Sequence, residues 1–186
     1  MQKLVLFVLL LMPVLAFSQR SGIDTSFIFW SKNRPLQESD FKINVEHFCS
    51  SHSFARYSWD YDVKANFAFG LPKDYKRKIR NYFIKNAAWL DTTYSVDISI
   101  RYQQTLFNLA EIYVRKFRQD VYENRKKVSR GKVNINELNA EESRKFTNRR
   151  IQYDIETNFA SVPDRQEQWE KQILKELDEL KDFAVD

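Results

Sequence analysis

The chain has 186 residues, of which 43% are hydrophobic and only 3 are glycine, and its formal net charge at pH 7 is +5. This length and apolar content predict one compact domain with its own core. They exclude a disordered or loop-rich chain, because aromatic residues alone make up 15% of the sequence. The charge excess is mild and is spread along the chain.

Residues 1–18 have the pattern of a cleavable signal peptide. Lys3 gives a short basic start, residues 4–17 are largely apolar, and small side chains precede the expected cleavage site after Ser18. We therefore predict a mature single domain over residues 19–186, secreted or held in the periplasm. An uncleaved membrane anchor is the alternative, although the apolar run is shorter than a bilayer-spanning helix requires. No later segment approaches that length, so we expect no transmembrane segment after cleavage.

Short strands are predicted in the first half of the mature chain. Residues 27–30 read as a strand that ends in a turn at residues 33–35. Residues 54–61 and 63–69 alternate aromatic or β-branched side chains with polar ones, and residues 79–84 fit a strand or a helix equally well. Three aromatic side chains of the second strand share one face, which favours a core position over a carbohydrate platform. They are Tyr57, Trp59 and Tyr61.

A long helix is predicted next, beginning near Thr93 or Ser95, either of which can cap its first turn. Its apolar residues recur in alternating steps of four and three, and a second apolar stripe runs beside the first. Because the two stripes make one broad apolar surface, we expect this helix at the centre of the domain. The stripes consist of Val96, Ile100, Gln103, Phe107, Ala110, Val114, Phe117 and Val121, and of Tyr102, Leu106, Leu109 and Tyr113.

Two further helices are predicted toward the C-terminus. Asn139 and Glu142 have the spacing of a capping box, which predicts the start of a helix that ends at residues 161–163. Another helix is expected from Asp164. The predicted fold is α+β, with a small antiparallel sheet packed on the long central helix and two C-terminal helices after it. The last helix is expected to bury Trp169, Ile173, Leu177 and Leu180.

Residues 101–116 resemble the signature helix of a family of predicted secreted bacterial zinc-dependent proteases, which reads roughly H-E-Q-x-H-F-D-x-A-E-x-Y-A-R-K. Tyr102 stands at the first histidine of that pattern, Gln103 at the catalytic glutamate and Leu106 at the second histidine. Asn108 replaces the aspartate. The matching positions are Gln104, Phe107, Ala110, Glu111, Tyr113, Arg115 and Lys116.

Two other tracts extend the resemblance to roughly residues 27–180. Residues 30–41 fit a tryptophan followed by a polar turn and L-x-W-x-D-F, except that Glu38 replaces the second tryptophan. Trp89 matches a tryptophan that the family places just before its signature helix.

The last tract follows the signature helix. Residues 153–158 fit the start of Y-D-x-E-T-x-H-G, after which Phe159 and Ala160 replace the histidine and the glycine. A Q-x-x-W helix then resumes the match at Gln166 and Trp169.

The resemblance implies a zinc peptidase that has lost its catalytic groups. Such enzymes place two histidines at i and i+4 on one helix face, with a glutamate between them that takes a proton from metal-bound water. Tyr102 and Leu106 keep the spacing without the donors, Phe159 removes a further histidine, and the amide of Gln103 cannot act as a base. We therefore expect a non-catalytic protein without a cofactor, which binds, scaffolds or regulates an unknown protein or envelope partner.

A metal-dependent hydrolase with a non-standard site is the first alternative. His47, Cys49 and His52 lie close together in the sequence, although their spacing suits no standard structural zinc site. No fourth ligand is evident beyond the candidates Glu46 and Asp40. Glu111 can offer one oxygen ligand, but a salt-bridged glutamate is the commoner role. Cys49 is the only cysteine, so no internal disulfide can form.

A binding protein for the cell envelope is the second alternative. Basic residues cluster at positions 76–80 and 125–127, where they can contact anionic lipid or polysaccharide. An exported protein rarely meets nucleic acid, so nucleic acid is not an expected partner. A solvated helix face is the plainer interpretation of both clusters.

Overall fold

The computed structural model describes residues 26–46, 52–63 and 70–185. Within these ranges, short strands form two three-stranded sheets that pack against one long helix, and further helices cover the rest of that helix. The α+β prediction is confirmed, as is the long central helix. The strands are β1 Phe27–Phe29, β2 Ile43–Val45, β3 Ser53–Phe54, β4 Tyr57–Tyr61, β5 Ile79–Ile84 and β6 Trp89–Asp91, and the α-helices are α1 Val96–Glu123, α2 Arg125–Ser129, α3 Ile135–Thr157 and α4 Pro163–Glu179.

The strands divide between an antiparallel sheet and a mixed one. In the first sheet, β5 lies between β1 and β4 with antiparallel pairing on both sides. In the second, β6 pairs in parallel with β2 and antiparallel with β3. The ambiguous residues 79–84 are thus a strand, and the single strand expected over residues 54–61 is two short strands in different sheets. The strand predicted at 63–69 lies almost wholly outside the described residues.

Helix α1 is the centre of the domain because its two predicted stripes are buried, except for Val96 and Ile100 near its start, which are partly buried. Leu106 and Phe107, one from each stripe, are at most 1% exposed. The sheets cover one side of the helix, and α3 and α4 cover another. The three alternating aromatic residues of β4 face this core, as predicted. Their ring contacts are Tyr57 with Phe107 at 5.5 Å, Trp59 with Phe146 at 5.7 Å and Tyr61 with Phe117 at 5.3 Å.

Helix α3 differs from its prediction at both ends. It begins at Ile135 after Asn134, whose side chain accepts a hydrogen bond from the backbone N–H of Asn136, so the expected start at Asn139 is wrong. Asn139 lies inside the helix and accepts a hydrogen bond from Nε1 of Trp59 at 2.6 Å. The helix ends at Thr157 rather than at residues 161–163. Helix α4 buries Trp169, Ile173 and Leu177 as predicted, while Leu180 is partly buried.

Three consecutive residues between α3 and α4 have left-handed backbone conformations. The φ angles are 44° at Asn158, 54° at Phe159 and 65° at Ala160. Such angles are unfavourable for residues other than glycine and asparagine. The N–H of Ala160 donates to Oγ1 of Thr157, and the turn directs Phe159 toward α1. In the described part of the chain, none of the helices combines the length and the apolar character needed to cross a membrane.

Candidate functional site

The residues at the three expected histidine positions meet around Tyr102. The ring of Tyr102 stacks on Tyr153 of α3 at 5.5 Å and meets the edge of Phe159 at 5.9 Å. Leu106, one turn further along α1, is completely buried in the same cluster. Tyr102 and Leu106 are therefore packed among aromatic and aliphatic side chains, and Phe159, which is 42% exposed, lies at the edge of this cluster.

The hydroxyl group of Tyr102 is engaged as a hydrogen-bond donor. It donates to Oδ1 of Asp154 at 2.5 Å, and Asp154 also lies 3.7 Å from Arg150. Burial, reinforced by the Asp154 carboxylate, raises the pKa of Tyr102 far above its usual value. Burial also raises the pKa of Asp154, although its partners oppose this shift. The phenol consequently stays protonated near neutral pH, and a protonated phenol is a poor zinc ligand.

The side chain of Gln103 points toward the sheets and away from the Tyr102 cluster, and it is 1% exposed. Its Nε2 donates to Oγ of Ser53 at 2.9 Å, and its Oε1 accepts from the hydroxyl of Tyr57 at 2.5 Å. Burial raises the pKa of Tyr57 well above its usual value. The side chain at the position of the family's catalytic glutamate is thus a buried amide whose oxygen and nitrogen both have hydrogen-bond partners.

Glu111 belongs to a buried ion cluster. Its Oε1 lies 3.2 Å from Nε of Arg115 and 2.9 Å from Nη1 of Arg118, and all three side chains are at most 6% exposed. Arg118 also donates to the carbonyl oxygens of Ile79 and Phe183. Arg118 therefore ties α1 to the first sheet and to the C-terminal segment, and Glu111 has the structural role of holding this buried arginine.

His52 lies beside the N-terminal end of α1. Its ring stacks on Tyr94 at 3.5 Å, and its carbonyl oxygen lies 3.5 Å from Oγ of Ser99 in the first turn. Ser99 precedes Glu111 by 12 residues, or about 18 Å along a helix, so the two candidate ligands are far apart. Nδ1 of His52 is buried and finds no hydrogen-bond partner among the described residues.

The other candidate ligands do not complete a metal site. His47 and Cys49 lie outside the described residues. Asp40 is paired with Arg34 at 2.6 Å and with Lys85 at 3.8 Å, and although burial opposes them, these partners hold its pKa below the usual value. Across residues 26–46, 52–63 and 70–185, no three histidine, cysteine, aspartate or glutamate side chains are placed to share a metal ion.

An open groove of about 570 Å³ lies on a neighbouring face of α1. Gln104, Asn108 and Arg115 line it from α1, while Trp30 comes from the end of β1 and Leu177 from α4. Sequence reasoning matched most of these residues to a family pattern without predicting the groove. Helical spacing shows that the α1 residues share a face, but no local pattern shows which distant segments stand beside it.

The two basic segments meet at one end of the molecule. Arg125 and Lys126 line a hollow with Lys73, and Lys73 also lines an adjacent hollow with Lys76 and Arg77. The ring of Tyr75 stacks on that of Tyr122 at 6.1 Å and Arg125 lies 4.3 Å from the ring of Tyr122, which joins the two segments. Residues about fifty positions apart thus form one basic surface.

Comparisons of the chain with protein-family models, with curated proteins and with solved structures found no match. The candidate function is therefore inferred from the residues and their geometry. Three features bear on it: the filled cluster around Tyr102, the groove beside Trp30 and the basic surface around Lys73.

Proposed function

We propose that this chain is an exported, non-catalytic member of a zinc-protease-like family, and that it acts by binding a partner rather than by hydrolysis. The observation that carries the proposal is the packing of Tyr102, Leu106 and Phe159. These side chains stand at the three histidine positions of the resembled family. Tyr102 and Leu106 are buried in one cluster with Tyr153, and Phe159, which is 42% exposed, contacts the ring of Tyr102. In this proposal, apolar side chains have replaced the metal ligands of the former site.

The chemistry of the filled cluster opposes zinc peptidase activity. Zinc needs lone pairs from three protein ligands and an open position for water. Leu106 has no lone pair, and Tyr102 is held protonated by burial and by Asp154. Gln103 is a neutral amide enclosed by Ser53 and the sheet, so it can neither accept a proton nor reach a substrate.

The positions that match the family are engaged in structural contacts, which supports a shared scaffold. Gln104 accepts the backbone N–H of Leu36 at 2.7 Å, which joins the signature helix to the turn after β1. Tyr153 donates to Gln166 at 2.6 Å, which joins α3 to α4. Ala160 occupies a position with φ 65°, where the resembled pattern has the glycine that this angle favours.

The zinc content of the secreted protein tests the proposal. We would express the whole chain with zinc present, identify the mature N-terminus by mass, dialyse the protein and measure zinc by elemental analysis. We expect a mature chain that starts at Gln19 and holds less than about a tenth of an equivalent of zinc. We also expect no chelator-sensitive cleavage of labelled casein.

One equivalent of zinc together with chelator-sensitive cleavage would overturn the non-catalytic assignment. The variant His52→Ala would then show whether the metal uses the alternative cluster, because His52 lies apart from the Tyr102 cluster. Loss of zinc in that variant, with zinc retained in Tyr102→Phe, would support a hydrolase with a non-standard site. An unprocessed N-terminus would overturn only the proposal of export.

Binding to an anionic surface is a second candidate function, and the joining of the two basic segments around Lys73 favours it. The protein should then sediment with phosphatidylcholine vesicles that contain phosphatidylglycerol, and added salt should release it. The variant Arg125→Glu should weaken this binding, whereas Lys171→Glu on α4 should leave it unchanged. Equal sedimentation with purely zwitterionic vesicles would contradict an electrostatic mechanism.

A further inference from the structure

The groove beside Trp30 has a floor of hydrogen-bond donors whose orientation is fixed. The backbone N–H of Leu36 donates to Oε1 of Gln104, so the Gln104 amide must present its Nε2 to Asn108. Nε1 of Trp30, which is a donor only, approaches the same Asn108 oxygen at 2.9 Å. Two donors therefore hold Oδ1 of Asn108, and its Nδ2 is left for the groove. Nδ2 makes no hydrogen bond within the described part of the chain.

Arg115 provides a second donor near the same indole. Its Nε donates to Glu111, its Nη1 donates to the carbonyl oxygen of Leu177, and its guanidinium carbon lies 5.0 Å from the centre of the Trp30 ring. Nη2 has no hydrogen-bond partner among the described residues. The residue is only 5% exposed, so a ligand that reaches Nη2 meets a charge that is largely shielded from water.

The charges around the groove favour an anion. Lys32, Lys181 and Arg115 line it, against Asp178 as the one acidic residue of the described lining. Behind Arg115, the carboxylate of Glu111 is shared with Arg118, so this buried cluster carries an excess of positive charge. An acceptor with a negative charge would satisfy both the free donors and this imbalance.

The walls of the groove are largely apolar. Trp30 and Pro35 line it from the segment that begins at the end of β1, and Leu174 and Leu177 line it from α4. Leu174 is 57% exposed, so apolar surface remains available to a ligand. A phosphate would lose its strong hydration against these walls and would gain one guanidinium and one amide, whereas a carboxylate on an apolar body suits both walls and floor. A cavity of this volume is of the size that small molecules occupy.

We propose that the groove is a binding site for a small organic carboxylate, whose acid group meets Nδ2 of Asn108 and Nη2 of Arg115 while its apolar body lies between Trp30 and Leu177. This inference rests on the proposed function in one respect, since it supplies a ligand class for a protein that acts by binding. The site lies on a different face of α1 from the filled cluster around Tyr102. Zinc content and groove binding can therefore fail separately.

The test is a titration of the mature protein with phenylacetate, with its neutral analogue phenylacetamide and with inorganic phosphate. The NMR signal of the Trp30 indole N–H, identified with Trp30→Phe, reports directly on the groove because this group contacts Asn108. We expect phenylacetate to shift this signal in a saturable manner and to bind about tenfold more tightly than either other compound. Equal binding of the amide or the phosphate, or no saturable shift with phenylacetate, would overturn the proposal.

Asn108→Asp is the sharpest variant because aspartate can still accept the hydrogen bonds from Trp30 and Gln104, but it offers a negative charge in place of two donors. We expect it to weaken phenylacetate binding by about tenfold or more. Asn148→Asp makes the same change on the exposed side of α3 and should have no effect. Unchanged binding by Asn108→Asp would count against the proposal.

A second pair of variants keeps the test valid if Asn108→Asp unfolds. Leu174→Glu places a negative charge on the exposed wall of the groove, and Ile151→Glu places one at a similarly exposed apolar position on α3. Leu174→Glu should reduce phenylacetate binding by about tenfold, and Ile151→Glu should leave it unchanged. Equal affinities for these two variants would overturn the assignment of the groove.

Discussion

Replacing Glu111 with glutamine is expected to destabilise the protein strongly, because Glu111 holds two buried arginines. Its Oε1 lies 3.2 Å from Arg115 and 2.9 Å from Arg118, and the three side chains are 2%, 6% and 2% exposed. Removing one partner from a buried ion pair costs about 3 to 5 kcal/mol, since the charge left behind remains out of water. Glutamine keeps the size of the side chain and one acceptor oxygen, so we expect the lower end of that range, about 3 kcal/mol.

Urea unfolding followed by circular dichroism measures this loss. For a domain of this size the midpoint should fall by about 1 to 2 M, given the usual dependence of unfolding free energy on urea concentration. Glu141→Gln is the matched control, because Glu141 pairs with Arg144 at 2.8 Å but both side chains are exposed. That pair should contribute less than about 1 kcal/mol. If the two variants had the same midpoint, the structural role assigned to Glu111 would be wrong.

Three further stability predictions concern other strained or buried positions. Ala160→Gly should raise the free energy of unfolding by about 0.5 to 1 kcal/mol in urea titrations, because it relieves a left-handed φ of 65°, whereas Ala110→Gly inside α1 should lower it. Burial, followed by repulsion from Glu142, raises the pKa of Asp120 to about 6, so the folded protein binds that proton more tightly than the unfolded chain. The urea midpoint of unfolding should thus rise as the pH falls from about 6 toward 4. The variant Asp120→Asn should lose this pH dependence. Its free energy of unfolding at neutral pH should exceed that of the unmodified protein by about 1 kcal/mol, after allowance for solvent screening. Gln103→Glu should lower the free energy of unfolding by about 1 to 3 kcal/mol at neutral pH, because it buries a charge. It should not create peptidase activity. An unchanged urea midpoint, or cleavage of casein, would contradict the reasoning.

The central helix of the fold could be predicted from the amino-acid pattern alone. Helix α1 was predictable because steps of three and four residues from Val96 to Val121 place one side chain after another on the same face, and a buried helix needs no other signal. The buried residues of α4 followed from the same periodicity. The chemistry available at position 106 was also visible in the sequence, since a leucine side chain lacks a lone pair in any fold.

Features that depend on contacts between residues far apart in the chain could not be predicted in this way. The ambiguous segment Ile79–Ile84 is a strand because β1 and β4 supply its hydrogen bonds from both sides. Asn139 has the spacing of a helix cap, yet its side chain accepts a hydrogen bond from Trp59, which lies 80 residues away in the sequence. The groove needs the end of β1, one face of α1 and one face of α4 together. Local patterns show which side of a helix or strand is apolar. Packing and hydrogen bonding between distant segments determine which other helix or strand covers that side.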